Sequence, residues 1–282
     1  MVKVITSGFF STIQDLGRIN NQEYGVPYSG VMDRYSAKLA NALLGNDMND
    51  ALLEITMTGP TLQFNLDTYI SITGADISPM LNNNSIKQNH VTKVSIGDIV
   101  SFGKLKSGFR AYLAISGGFK TEKTMHSRSM YNGITNEFKI NNGDALPIEN
   151  PSMVIAEINA TIKVNTKHFT SKIIEVYKGP EFELLTEKQQ EQLLSTEFSI
   201  SKDNSRMAYQ LAEILENDLK PIITSLVLPG AVQLTPSGNL IVLMRDCQTT
   251  GGYPRVLQLR EASIDVLSQK FTGDKIHFEW TE

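Results

Sequence analysis

Short runs of alternating or β-branched residues, each cut off by Gly, Pro, Asn or Asp, recur along most of the chain, and they set the fold class before any other feature. Successive side chains of an extended segment point to opposite faces, while those four residue types supply the turns that end a strand. The clearest strands are Leu53–Met57, Tyr69–Thr73, Val91–Val94, Ile99–Phe102, Ala111–Ile115, Ile173–Val176, Leu240–Met244 and Ile276–Glu279. Many short strands at this spacing predict barrels or sandwiches, not an alternating βαβ sheet.

Helices are few. Met32–Leu44 places Ala37, Ala40 and Leu44 on one face with Leu43 beside them, and Gly45 follows where a C-terminal cap belongs. Phe182–Leu194 contains Thr186 with Gln189 three residues on, a capping box that starts the regular helix there. Ser263–Gln269 is a short third, ahead of a turn at Gly273–Asp274. Gly-Asp followed by a strand-like run also occurs at Gly97–Asp98 and Gly143–Asp144, and Gly-Pro follows a β-run in ITMTGP and IEVYKGP. These echoes read either as ordinary hairpin turns or as the mark of two related β modules. The polar stretch NTKHFTSK between two apolar runs places a boundary within residues 160–172, giving an N-terminal β subdomain over 1–165 and a C-terminal one over 166–282.

Composition excludes several classes of function. A formal net charge of −4 and the lack of a basic run argue against a nucleic-acid backbone or an anionic membrane as partner. The single cysteine, Cys247, cannot form an internal disulfide and reads as a small buried hydrophobe. The N-terminal MVKVITSGFFSTIQDLG is too polar for a signal peptide, and no run approaches the ~18 apolar residues of a membrane span, which predicts a cytoplasmic protein. His90, His126, His168 and His277 include no pair at ligand spacing, so no metal site is expected.

Two loop segments concentrate the candidate chemistry, Tyr24–Ser36 and Gln248–Pro254. In YGVPYSGVMDRYS a Gly-Val-Pro turn and Ser29-Gly30 lead into a helix start, whose unpaired N–H groups suit a phosphate or carboxylate. Tyr24, Gly30, Asp33 and Arg34 are the candidates, and a capped helix with a surface ion pair is the structural alternative. In DCQTTGGYPRV, Gln248, Thr249, Thr250, Gly251, Gly252 and Tyr253 make a loop rich in hydroxyl and backbone donors, with a plain hairpin turn as the alternative. Asp76 in ITGAD orients a substrate or bonds its own backbone in a turn. Ser127, Arg128 and Ser129 form a donor cluster suited to a carboxylate or phosphate, or a surface turn. Gly117, Gly118, Lys120 and Thr121 lack the spacing of a phosphate loop.

Taken in order, VITSGFFSTIQDLGR, YGVPYSGVMDRYSAKLANALLGN, LEITMTGPTLQF, ITGAD, GDIVSFG, SGFRAYLAISGG, SRS and QTTGGYP resemble the allophanate hydrolase subunit 2 family, also called the biotin-dependent carboxyltransferase A/B-type domain. The C subunits of bacterial 5-oxoprolinases and the KipA-type regulators belong to that family. The resemblance spans nearly the whole chain and implies a mainly β, cyclophilin-like β-barrel architecture with two β-rich subdomains and a few short helices. It also implies a partner of the allophanate hydrolase subunit 1 or KipI type, together with a lactam-utilisation-type subunit.

Three functions follow from the resemblance. The first is a subunit of an ATP-dependent 5-oxoprolinase, inactive alone, that opens 5-oxoproline to glutamate. The second is a carboxyltransferase component acting on urea or a related amide, with biotin carried on another chain. The third is a KipA-type module binding a KipI-like kinase inhibitor. Both enzymatic readings require an unreactive amide carbonyl or nitrogen to be polarised. Thr249, Thr250 and Gly251 are the expected donors, Asp33 or Asp76 the expected base, and Arg128 the expected anion holder. The sequence departs from the family pattern at Cys247, where a basic residue is usual, at Ala208 in SRMAYQ, and in QLREASIDVLSQ.

Overall fold

The computed structural model describes residues 1–149, 164–165 and 167–281. The expected boundary region of 160–172 falls partly on 160–163 and 166, which lie outside the described residues. The architecture is mainly β, as expected. The chain divides into two compact units: Met1–Arg18 with Ser29–Phe169, and Ile19–Tyr28 with Thr170–Glu282.

The first unit contains two sheets. One runs in the spatial order Ala145–Leu146, Val2–Thr6, Thr61–Phe64, Ile99–Phe102, Pro79–Leu81, Asn84–Ser85. The other runs Phe10–Gln14, Leu52–Thr56, Ser107–Ile115, Thr68–Asp76, Val91–Val94. Val2, Val4, Ile13, Leu53, Ile55, Leu62, Phe64, Ile70, Val100 and Leu113 belong to one hydrophobic core. Strand alternation sends Leu52, Tyr112 and Ala114 the other way, against Val31, Ala37, Ala40 and Leu44 of the Arg34–Leu43 helix and its flanks. Burial of this second sheet on both faces explains why Leu52–Thr56 is buried at every position.

The second unit is a closed barrel ordered Ile173–Lys178, Arg255–Leu259, Ala231–Leu234, Asn239–Leu243, Ala208–Ile214, Glu197–Asn204, Lys275–Trp280. A parallel pairing of Ile173–Lys178 with Lys275–Trp280 closes it and removes the free edges. A separate two-stranded ribbon, Ser225–Leu226 with Thr250–Gly251, carries the glycine-rich loop. The expected capping box is formed: Thr186 and Gln189 cap Glu187–Ser195 reciprocally. The third expected helix runs over Glu261–Ser268.

The Gly-Asp echo is one turn used three times. Gly97, Gly143 and Gly273 take left-handed φ of 91°, 91° and 90°. In each case the following aspartate bonds back to the residue three before it. Its N–H donates to that carbonyl, at 3.0 Å from Asp98, 3.2 Å from Asp144 and 3.0 Å from Asp274. Its carboxylate accepts that residue's N–H, at 2.8 Å from Ser95, 2.7 Å from Asn141 and 3.1 Å from Phe271. The repeat thus has a local cause, since only a residue tolerant of positive φ can precede the self-bonding aspartate.

Candidate functional site

The first unit gathers several candidate residues around Gln14–Arg18. The buried Asp15 carboxylate accepts Ser127 Oγ at 2.6 Å, Ser129 Oγ at 2.7 Å, the Arg128 N–H at 2.7 Å and the Gly17 N–H at 2.9 Å. Arg18, buried beside it, donates from Nη2 to the Ser129 carbonyl and from Nε to the Thr124 carbonyl at 3.3 Å. The serines of SRS therefore serve Asp15, and the half-buried Arg128 side chain lines a cavity of about 280 Å³ with Thr121, Thr124, Asn136, Glu137 and Asp144. Gly30 donates its N–H to Gln14 Oε1 at 3.1 Å. Its φ is +87°, and a Cβ there would stand 2.8 Å from the Leu16 carbon and the Gly17 nitrogen, so no side chain fits. Arg34 Nη2 reaches the Leu16 carbonyl at 3.3 Å.

Asp33 caps the Arg34–Leu43 helix. Its carboxylate accepts the Ser36 N–H at 2.9 Å and Ser36 Oγ at 2.6 Å, and it meets His168 Nε2 at 2.8 Å. Its own N–H donates to the Tyr112 hydroxyl at 2.8 Å, and that hydroxyl donates to Glu54 Oε2 at 2.9 Å. Glu54 Oε2 also accepts the Met32 N–H at 2.7 Å, and Oε1 lies 3.8 Å from Arg110 Nε. Asp33, Glu54, Arg110, Tyr112 and His168 thus form one buried polar chain. Burial pushes the Tyr112 phenol well above its ordinary range, with the Glu54 and Asp33 carboxylates adding to the rise. Asp76 sits apart, at a strand end: its Oδ1 accepts the Ser78 N–H at 2.9 Å, and Oδ2 faces Lys106 Nζ at 3.6 Å in an exposed pair.

The second unit holds the Gln248–Pro254 loop by charged forks at both ends. Before it, Arg206 pairs with Asp246 through Nε and Nη2, at 2.8 and 3.0 Å. Arg245 Nη2 reaches Glu261 at 2.8 Å and Asp265 at 3.2 Å. After it, Arg255 grips Glu181 through Nε and Nη2, at 3.0 and 2.8 Å, and donates from Nη1 to the Leu226 carbonyl at 2.7 Å. The fork to Arg255 holds the Glu181 carboxyl below its ordinary range. SRMAYQ and QLREASIDVLSQ, the stretches that depart from the family pattern, therefore supply Arg206, Glu261 and Asp265 to anchor this loop.

Within the loop, the Thr249 carbonyl accepts the Val227 N–H at 3.1 Å and the Gly252 carbonyl accepts the Ile222 N–H at 2.9 Å. Thr250 is exposed and Tyr253 is 39% exposed, so both stand open to a ligand. Tyr24 is 71% exposed in a short turn of the same unit. Cys247 is buried among Val227, Ala231 and Leu243, and burial pushes its thiol up to about 12.

Asp15, Glu54, Arg110, Tyr112 and His168 belong to no catalytic or ligand-binding motif legible in the sequence. A signal for two of them was available: Asp15 and Glu54 are acids inside otherwise strand-like runs, STIQD and LLEIT, where a solvated charge is out of place. Among the described residues, no cluster of three or more His, Cys, Asp or Glu is arranged to hold a metal, and no helix is long and apolar enough to cross a membrane.

A mainly β chain with this barrel and these two loops has known relatives. Residues 24–280 match the model of the carboxyltransferase domain, subdomain A and B, and the chain belongs to that family. It is 31% identical to the 5-oxoprolinase C subunit of Escherichia coli over 99% of this chain and 90% of that protein. The Haemophilus influenzae 5-oxoprolinase C subunit is 30% identical over 99% and 91%. Urea amidolyase of Saccharomyces cerevisiae is 40% identical, but over 46% of this chain and 7% of that protein. Among solved structures, the urea amidolyase of K. lactis superposes with a TM-score of 0.87 at 28% identity, over all of this chain and 19% of that one. TTHA0988 superposes with a TM-score of 0.87 at 25% identity, and this chain spans 55% of its length.

Proposed function

We propose that this chain is one subunit of an ATP-dependent complex that opens the lactam of 5-oxoproline to glutamate. One observation carries the reading: two 5-oxoprolinase C subunits align with almost the whole chain and about nine-tenths of their own length. The relation to a subunit of an amide-hydrolysing assembly supports partner chains, of the allophanate hydrolase subunit 1 or KipI type and of the lactam-utilisation type.

Lactam opening needs donors where negative charge develops on the carbonyl oxygen. The Gln248–Tyr253 loop suits this role. Its glycines admit close approach, Thr250 is exposed, and charged forks hold both ends, so its donors are fixed before substrate arrives. Arg128 is assigned to an anionic group, in a cavity that it shares with the Glu122, Glu137 and Asp144 carboxylates. For Asp33, three partners already engage the carboxylate, and we assign it to capping. Asp76, whose carboxylate meets the Ser78 N–H and an exposed lysine, is the carboxylate we assign to the base role. ATP binding belongs to the complex in this reading.

The second reading is a carboxyltransferase component served by biotin on another chain, and the K. lactis urea amidolyase superposition favours it. The two separate in one assay. The purified chain, combined with its partner subunits, is given 5-oxoproline and ATP in one arm, and in the other urea with a biotinylated carrier that a biotin carboxylase charges from bicarbonate and ATP. Glutamate in the first arm supports the proposal. Carboxylated urea in the second, without glutamate, overturns it, and so does tight partner binding with no product in either arm, the behaviour of a KipA-type regulator.

A further inference from the structure

Gln233 breaks the pattern of its strand. Ala231–Leu234 turns Val232 and Leu234 into the barrel, so Gln233 faces outward, where a polar residue is ordinarily solvated. It is instead 2% exposed. Gly251 covers it: a Cβ at Gly251 would stand 2.4 Å from Gln233 Nε2, so the absent side chain is what lets the amide lie beneath the ribbon of Ser225–Leu226 and Thr250–Gly251. Gln233 Nε2 is buried with no hydrogen-bond partner among the described residues, and so is Oε1 of Gln248, three positions before Gly251 in the same loop. A buried amide group without a partner destabilises a fold, so two of them at one loop, one a donor and one an acceptor, call for a ligand.

We propose that Gln233 and Gln248 recognise the substrate amide: Gln233 Nε2 donates to its carbonyl oxygen and Gln248 Oε1 accepts its N–H. The ligand class is a cis amide. A small lactam holds C=O and N–H on the same edge of the ring, whereas an open-chain trans amide holds them on opposite sides. Gln233 is thereby a binding residue that sets specificity, distinct from the Thr249–Gly251 donors. The assignment rests on the function proposed above and deepens it.

The test uses the full chain, alone by calorimetry and within the reconstituted complex by kinetics. The probes are 5-oxoproline, 2-pyrrolidinone, and N-methyl-2-pyrrolidinone, which lacks the N–H. Gln233→Met is expected to keep or raise the melting temperature while weakening 2-pyrrolidinone binding, or raising KM for 5-oxoproline, at least tenfold. Gln248→Met is expected to act likewise and to abolish the preference of the wild type for 2-pyrrolidinone over its N-methyl form. Gln233→Glu, of nearly the same shape, exchanges the amide donor for a carboxyl group and is expected to weaken binding as well. Unchanged affinity in folded Gln233→Met and Gln233→Glu overturns the proposal, as does no saturable lactam effect in either format. Gln233-dependent lactam binding with no glutamate formed upholds it while refuting the oxoprolinase reading. Glutamate formed with KM unmoved in both Gln233 variants does the reverse.

Discussion

Asp33 Oδ2 stands 2.8 Å from His168 Nε2, joining residues 135 positions apart, on a carboxylate that already caps a helix. One side chain thus starts the Arg34–Leu43 helix and ties down a segment far along the chain. Asp33→Ala is expected to lower stability by about 2–4 kcal/mol, the sum of a lost cap and of a buried histidine left without its partner. Chemical denaturation measures it. A double-mutant cycle with His168→Ala is expected to return a coupling of about 0.5–3 kcal/mol, and additive losses would deny the pairing.

Tyr112 bridges two buried groups, accepting the Asp33 N–H and donating to Glu54. Tyr112→Phe leaves both short of a partner and is expected to cost about 1–3 kcal/mol. Because burial and two carboxylates raise the phenol, Tyr112 stays protonated while exposed tyrosines ionise. A spectrophotometric titration of the native protein to about pH 11 is therefore expected to show the same phenolate absorbance with and without Tyr112. A deficit of one tyrosine in the variant would refute this.

Gly30 and Gly25 both take positive φ, but only Gly30 abuts backbone. Gly25→Ala meets nothing within 4 Å and incurs left-handed strain alone, about 1–2 kcal/mol. Gly30→Ala adds collisions with Leu16 and Gly17 and is expected to lose clearly more, about 3 kcal/mol or beyond, read as a lower denaturant midpoint at constant slope. Equal losses would contradict the close approach.

The Glu181–Arg255 fork gives stability a pH dependence of known sign. Arg255 holds the Glu181 carboxyl below its ordinary 4.5, so the folded state releases this proton more readily than the unfolded state does. The stabilisation is complete above about pH 4.5 and is lost as pH falls through the depressed folded value. Glu181→Gln is expected to lower the urea midpoint at pH 7, with the gap to wild type narrowing as pH falls below about 4.5. A gap that does not narrow as pH falls below about 4.5 would place its origin outside the ionised pair.

Cys247, buried with its thiol pushed up to about 12, is expected to resist a disulfide-exchange reagent at pH 8 in the native protein and to react at once in denaturant. Fast native reaction would mean that the loop edge opens.

Local signals in the sequence translated well. Val91–Val94 and Ile99–Phe102 form strands with the expected ends, and Thr186–Gln189 forms its capping box, because turn residues and caps act over a few positions. Long-range partnerships did not translate. Ser127 and Ser129 read as free donors, yet they serve Asp15 more than 110 positions away. Gln233 sits at an outward register that reads as solvated, and only the ribbon over it reveals burial. Residues 19–28 belong with the second unit although the chain around them builds the first, which no composition shift announces.

The most direct measurement is a drop-out. The complex is assembled with its partner subunits, with and without this chain, and ATP-dependent release of glutamate from 5-oxoproline is followed. Glutamate is expected from the full assembly, with none from this chain alone and a loss of two orders of magnitude or more when it is left out. Equal glutamate with and without this chain would contradict its place in the reaction.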